Sequence, residues 1–489
     1  MEPKAAVVGS GIAGIASALR LRAKGYHVDV FEQNTYTGGK LHSFKRGEFR
    51  FDYGPSLFTM PQYVDELFSL FGKEPKNYFR YKRKENICNY FWEDGQRFQV
   101  KADKTEFIEE ASKAFNEPKE NFTQYLNSTE EKYSLTSKLF LEKSLHKFDT
   151  YLSTDTLRAI FNLGKLHLDH SLDGVNQKYF KNPKLVQLFN RFATYNGSSP
   201  YKTPGIMSMI PHLEMNYGAF IPKQGMHDIS QSLTQLAKDE GIVFHLDQKI
   251  DEILYEDNAV KGIKYNNQEE AYDTVVCNMD VYSAYNSLLK NLKPPKKTLD
   301  QERSSSALIF YWGVDKTYEE LDLHNILFTE DYPKEFDHLF NKKYFMEDPT
   351  VYINITSKDV KEDAPEGSEN WFVMVNAPTN CGQDWSKQTT YIREKIIAKI
   401  NSCLGTKIQN HIRVEHVETP ETIESATSSF QGSLYGTSSN NKFAAFLRHP
   451  NFSSKIKNLY FCGGSVHPGG GIPLCLLSAK IVSDLVPNA

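Results

Sequence analysis

Apolar positions along this chain repeat with two periods, and the switches between them outline the elements. A short unbroken run, Ala5-Ala6-Val7-Val8, predicts a strand buried on both faces; glycines at 9, 11 and 14 and a helical stretch follow, then a second strand at His27-Val28-Asp29-Val30-Phe31. A long helix-like region occupies 105–190. Gly218–Met226 then predicts a strand and turn leading into a helix over 227–239. Strands are predicted at 243–246, 249–255 and 260–265, with a turn at Asp257-Asn258, and a buried strand at Val275–Asn278. Period-2 alternation of β-branched and aromatic residues marks 306–314, 350–355 and 371–376 as half-buried sheet. The chain closes with Asn458–Phe461 as a strand, a glycine turn, a loop and a helix.

Gly9-Ser10-Gly11-Ile12-Ala13-Gly14 sits between strand and helix, and Glu32 follows Gly14 by 18 residues at the end of the second strand. This is the layout of a dinucleotide site. Gly9 permits the tight turn, Gly11 lets the backbone approach a pyrophosphate, and Gly14 lets the helix lie close to the sheet. The helix N-terminus offers free N–H groups to phosphate. Glu32 would accept from a ribose hydroxyl and repel a 2′-phosphate, which argues against NADP. Gly38-Gly39-Lys40 and Gly54-Pro55 extend the cradle, with a cation near the phosphates. Near the other end, Gly463-Gly464-Ser465 and Gly469-Gly470-Gly471-Ile472-Pro473 offer a second set of backbone donors, which a flavin dinucleotide needs because it outruns one βαβ crevice. The pairing favours FAD over NAD.

These stretches resemble the FAD-dependent, phytoene desaturase-type carotenoid desaturases of the amine oxidase-like flavoprotein superfamily. The matching residues are Val7–Gly14, Glu32, Gly38–Lys40, Asp52–Pro55, Tyr217–Met226, Val275–Asp280 and Leu459–Lys480, and within that family the chain is similar to bacterial 1-hydroxycarotenoid 3,4-desaturases. The resemblance implies an α/β architecture: a Rossmann-like FAD-binding domain interleaved with a β-sheet substrate domain and a helical membrane-associating region. FAD-binding segments are expected at 1–75, 218–290 and 455–489, a mainly helical substrate and membrane region at 76–217, and the substrate sheet at 291–454. The implied cofactor set is Gly9, Gly11, Ile12, Ala13, Gly14, Glu32, Gly39, Lys40, Leu41, Gly54, Pro55, Ser56, Ile250, Asn278, Gly464, Ser465, Gly471, Ile472 and Pro473, with Ile250 meeting the adenine through its backbone. Lys40 stands where many relatives carry Arg, keeping the charge without the bidentate fork. Gly464-Ser465 stands where related oxidases place an acid. Amine or protoporphyrinogen oxidase chemistry, and a non-enzymatic lipid escort on the same fold, are the alternatives.

Composition narrows this picture. The 489 residues exceed one core, and a net charge of -4 supplies no basic field for nucleic acid. Six cysteines lack C-x-x-C or framework spacing, and the glycine motif begins within ten residues of Met1, so a cytoplasmic protein without a leader is expected. No run of about 18 apolar residues occurs, so access to a lipid substrate is expected from the membrane surface. Leu135, Leu139, Phe140, Leu145 and Phe148, interspersed with Lys138, Lys143, His146 and Lys147, form a candidate docking stripe; a helix packed on its own domain is the alternative. His167-x-x-His170 has no further residue to complete a ligand set, so no metal is expected.

Dehydrogenating an unactivated CH–CH pair removes a hydride and a proton, and no side chain accepts a hydride, whereas oxidised flavin does. The protein must then position the substrate, exclude water and supply at most a weak base. Asp155 and Arg158 share a helical face in D-x-x-R spacing and resemble an acid–arginine pair of related desaturases; a surface ion pair is the alternative. His467 is the other candidate base, or else it holds its loop through a backbone hydrogen bond. The implied substrate is a carotenoid, and the final electron acceptor, oxygen or a quinone, is left open.

Overall fold

The computed structural model describes residues 2–147, 150–151, 161–441 and 443–489. Phe148, Asp155 and Arg158 lie outside the described residues. Five parallel strands form one sheet, in the order Leu459–Phe461, Thr274–Cys277, Lys4–Val8, His27–Phe31 and Val243–His245. Three distant stretches of chain therefore share one sheet, as the interleaved order predicts. Helices cover both faces of a parallel sheet, which explains the unbroken Ala-Ala-Val-Val run. On one face the helices Ile12–Ala23, His227–Asp239 and Ile472–Leu485 pack Ile15, Leu19, Leu233, Leu476 and Val482 against Val7, Val28 and Val30. The other face buries Ala6, Val8 and Val275 with Ile253, Val260 and Ile263 from a meander of Glu252–Glu256, Ala259–Tyr265 and Gln268–Ala271.

The second sheet has seven strands, ordered Ile412–Glu418, Ser306–Val314, Glu369–Ala377, Val351–Ile355, His324–Leu327, Asn86–Phe91 and Arg97–Lys101. Neighbours run antiparallel except His324–Leu327 beside Asn86–Phe91. Alternation separates its faces. Leu308, Phe310 and Trp312 pack with Val373, Ile353 and the helix Trp385–Leu404, while Ala307, Ile309 and Tyr311 face Phe49, Phe51 and Phe372.

Within the region 76–217, expected as mainly helical, the hairpin Asn86–Lys101 joins the second sheet, because Ile87, Tyr90 and Val100 are β-branched or aromatic and bury against the helices Lys104–Phe115 and Lys119–Thr136. Two expectations are corrected. The strand expected from Lys249 begins at Glu252, since Lys249 and Ile250 line the dinucleotide cradle instead. The apolar stripe is not one helix. Lys119–Thr136 runs into a single wide turn, Ser137–Leu141, and Leu135, Leu139 and Leu145 turn inward, each less than a tenth exposed.

Candidate functional site

The glycine turn is held from several sides. Gly9 adopts φ +97°. A Cβ on Gly14 would lie 2.1 Å from the Gly9 carbonyl oxygen, so the first helix turn lies directly on the loop. A Cβ on Gly11 would meet Asn278 Oδ1 at 2.7 Å, and one on Gly463 would meet Asn278 Nδ2 at 2.6 Å. Asn278 Nδ2 donates to Cys462 O at 3.1 Å, so this amide is wedged between the N-terminal turn and the last strand. Gly11 is thus required by a protein neighbour.

Glu32 is buried and accepts four hydrogen bonds: Ser10 N–H and Oγ–H at one oxygen, Asn34 N–H and Nδ2–H at the other, all at 2.8–2.9 Å. A carboxylate has about four lone-pair sites. Glu32 therefore locks the glycine turn, and a ribose hydroxyl would have to share an oxygen with these donors. Gln248 N–H donates to Glu32 O, and Ile250 beside it lines the same cavity; its own N–H and C=O make no backbone hydrogen bond among the described residues. A buried peptide group left open in this way fits an adenine edge.

Two helix N-termini open into the cavity. The first ladder bond of Ile12–Ala23 is Ile15 N–H to Gly11 O, and that of Ile472–Leu485 is Cys475 N–H to Gly471 O. Neither helix has an acidic first turn or a side-chain cap, which leaves donors and positive dipole for an anion. Gly471 adopts φ +101°, and a Cβ there would meet nothing within 4 Å, so its open side is free for a ligand. Lys40 lies at this second end: its Nζ donates to Leu434 O at 3.4 Å, burial lowers its pKa, and Asp280 and Cys475 oppose that shift. Gly54 is forced by Lys40, whose carbonyl oxygen would lie 2.4 Å from a Cβ. Asp280 caps the helix Val281–Ser287 and is raised by burial, against the pull of Arg303 and Lys40. Arg448 is buried and donates to Tyr435, Thr437 and Gly464 carbonyls; burial brings its pKa down to about 10. The cradle fits FAD in its glycine turns, open N-termini and cations.

One cavity of about 1030 Å³ connects these parts, running from Gly9–Ile12 and Glu32 past Gly464 and Pro473 to the second sheet. There its wall is Ile309, Met374, Phe372, Tyr352 and Ile326, successive residues on one sheet face. Phe140, Leu168, Phe443 and Phe446 also line it, and the last three are over a third exposed.

Most residues expected at the cofactor lie on this cavity, including Leu41, Pro55, Ser56, Ser465 and Ile472. Gly14 does not line it and serves packing. Leu41 and Ser465 also hold the scaffold, accepting from Ser230 Oγ–H at 2.6 Å and from Val281 N–H at 3.0 Å. His467 is buried; its Nε2–H donates to Lys143 O at 2.9 Å, and burial drives its pKa to about 3, so the ring is neutral and tethers its loop. Cys462 is buried in the core, one residue past the last strand. Sequence reading missed Ser10, Arg448 and the pair His324 and Tyr352. A tyrosine inside the β-branched strand Val351–Ile355 was the one available signal; nothing in the sequence joins it to His324.

The sequence profile of the flavin containing amine oxidoreductases matches residues 12–487. The chain belongs to this family. It is 55% identical to a "1-hydroxycarotenoid 3,4-desaturase" of Flavobacterium sp. (strain P99-3), over 99% of both chains. It is 31% identical to a "4,4'-diaponeurosporene oxygenase" of Staphylococcus aureus (strain MRSA252), covering 98% of this chain and 97% of that one. Among solved structures, an oxidoreductase from Methanosarcina mazei shares the fold with TM-score 0.65 at 14% identity, over 98% of this chain and 100% of that one. The α/β architecture with a flavin cradle is thus that of the family, and the chain is an FAD-dependent oxidoreductase.

Proposed function

We propose that this chain is a carotenoid desaturase that forms the C3–C4 double bond of 1-hydroxycarotenoids at the membrane surface. The observation that carries it is the continuity of the cavity: the dinucleotide cradle opens, without an intervening wall, into a chamber floored by Ile309, Met374, Phe372, Tyr352 and Ile326. A polyene end is apolar and flat, and such a wall receives it. The similarity to a 1-hydroxycarotenoid 3,4-desaturase supports the choice of substrate and bond.

When bound, FAD supplies the hydride acceptor that no side chain provides. The chain's own residues orient and shield. Sheet side chains fix the substrate against the cofactor, and apolar packing keeps water away from the reacting carbons. Arg448 holds positive charge beside the Gly463-Gly464 turn, which favours an electron-accepting group there. The other product is a proton, and Asp155 with Arg158 remains the proposed pair to take it.

Substrate enters, on this reading, from lipid. Among the described residues no helix is long and apolar enough to cross a membrane. Phe161, Leu168, Phe443 and Phe446 are 39–85% exposed, and the last three border the cavity, so we assign the membrane contact to this rim and not to Leu139. The test is conversion in vesicles: the purified holoprotein with a 1-hydroxycarotenoid should yield a product lighter by two hydrogens. A product heavier by one oxygen, or none, would overturn the reading. Phe443→Ser with Phe446→Ser should lower vesicle binding and conversion together, with flavin content unchanged.

A further inference from the structure

Inside the chamber, Ser56, Tyr352, His324 and Asn354 form one short chain of hydrogen bonds. Asn354 Nδ2 donates to Leu323 O at 2.9 Å and also lies 3.2 Å from His324 Nδ1. An amide nitrogen cannot accept, so the tautomer with a bare Nδ1 is assigned: its one lone pair is shared by the Asn354 and Tyr352 donors, and the proton goes to Nε2, which has no hydrogen-bond partner among the described residues. His324 is buried, and burial lowers its pKa to about 3, so the ring is neutral and its proton sits on Nε2. Tyr352 Oη lies 2.7 Å from Nδ1 and therefore donates to it. With its only proton committed, Tyr352 accepts from Ser56, whose Oγ is 2.9 Å away. The order runs Ser56 O–H to Tyr352 O–H to His324 Nδ1. These two hydroxyl groups, which line the cavity, have thus spent their protons inward and present lone pairs outward.

The neighbouring polar groups offer nothing comparable. Arg191 gives its donors to Tyr90, Tyr195 and both oxygens of Glu214, and Tyr195 donates to Glu214 as well. Thr350 Oγ1 donates to Glu335 at 2.6 Å. The rest of this wall, Ile309, Met374, Phe372 and Ile326, is apolar.

We propose that Ser56 and Tyr352 form the subsite for the alcohol at the end of the substrate, accepting its proton, with His324 and Asn354 setting the direction of the chain. The inference deepens the proposed 1-hydroxycarotenoid desaturation and rests on it. Ser56 directly follows Gly54-Pro55, the segment packed on Lys40 at the cofactor, so the subsite adjoins the redox end of the cavity. A hydroxyl on C1 requires this, because its oxygen is only about 4 Å from C3 at bond lengths of about 1.5 Å. A site that only accepts discriminates sharply: an alcohol donates to it, whereas the corresponding ether cannot and brings its own lone pair against two others.

The test compares a 1-hydroxycarotenoid, its 1-methoxy ether and the carotenoid lacking the oxygen. Each is offered in phosphatidylcholine vesicles to the holoprotein, reading kcat/KM, and to the holoprotein with flavin chemically reduced, reading Kd from the polyene absorption shift without turnover. The wild-type protein should prefer the alcohol over the ether by about 10-fold or more in both readouts. In Tyr352→Phe the Ser56 proton is released to face the ligand. In His324→Leu the Tyr352 proton turns back and the chain reverses. Both variants should bring alcohol and ether within about 2-fold of each other. Equal Kd values in the wild-type protein, or an undiminished preference in both variants at normal flavin content, overturn the subsite. If none of the three compounds is converted, the proposed desaturation fails, and the Kd comparison still decides the subsite.

Discussion

The dinucleotide cradle and the sheet-walled chamber share one cavity but are built on opposite principles. The cradle is made of backbone: Gly9, Gly11, Gly463 and Gly471 expose peptide groups and helix ends, and its tolerances are set by contacts such as the 2.1 Å between a Cβ on Gly14 and Gly9 O. The chamber is made of side chains from separate strands, and the chain Ser56, Tyr352 and His324 is set beside its apolar wall. Backbone architecture fails all at once when a side chain intrudes, whereas side-chain architecture is tuned by single atoms.

Gly14→Val should break the cradle outright. Its neighbour is a carbonyl fixed in the turn, so no rotamer change relieves the contact, and the purified protein should be colourless; full flavin absorbance would show that helix and turn separate without cost. Asp155→Asn tests the proposed proton acceptor. A true base should lower the single-turnover rate of flavin reduction by about 10²-fold or more, and an unchanged rate would return Asp155 to an ion pair.

The next comparison is in pH. Burial raises the Glu335 pKa from 4.5 to about 7, with Thr350 donating to its carboxylate. The folded state thus holds this proton where the unfolded chain has released it. The stability it carries is complete below about pH 4.5 and is lost as pH rises through 7. Glu335→Gln should remove that loss and gain roughly 2–4 kcal/mol at pH 8 relative to wild type, in denaturant melts of the holoprotein. Parallel pH curves for the two proteins would refute it.

Glu32→Ala should act on the cradle by roughly 1–3 kcal/mol in FAD affinity, and, because Glu32 also holds Ser10 and Asn34, it should lower Tm of the apoprotein too. A loss of affinity with unchanged Tm would make Glu32 a ribose ligand alone.

The same contrast explains what was legible in the sequence. The cradle was readable because glycine has few reasons to recur at fixed offsets, and strand, turn and helix are local; the strand 306–314 was likewise readable from alternation. The Asn86–Lys101 hairpin was not, because its partner strand lies more than 220 residues away. Asn278 was read as a cofactor contact, but its wedge between two turns emerges only when the first, fourth and last strands of that chain order meet in one sheet. His324 and Tyr352 carry no motif at all: a histidine at a strand start and a tyrosine on the next strand become a site only through the register of Asn354 opposite His324.

The central claim is that cofactor and substrate meet in one cavity. It is tested most directly by mixing the oxidised holoprotein with a 1-hydroxycarotenoid in vesicles, without oxygen or quinone, and following flavin and polyene absorption together. The account predicts that the flavin bleaches in a single phase while the polyene spectrum moves to longer wavelength, one double bond per flavin. Flavin that stays oxidised while bound carotenoid remains unchanged would contradict it.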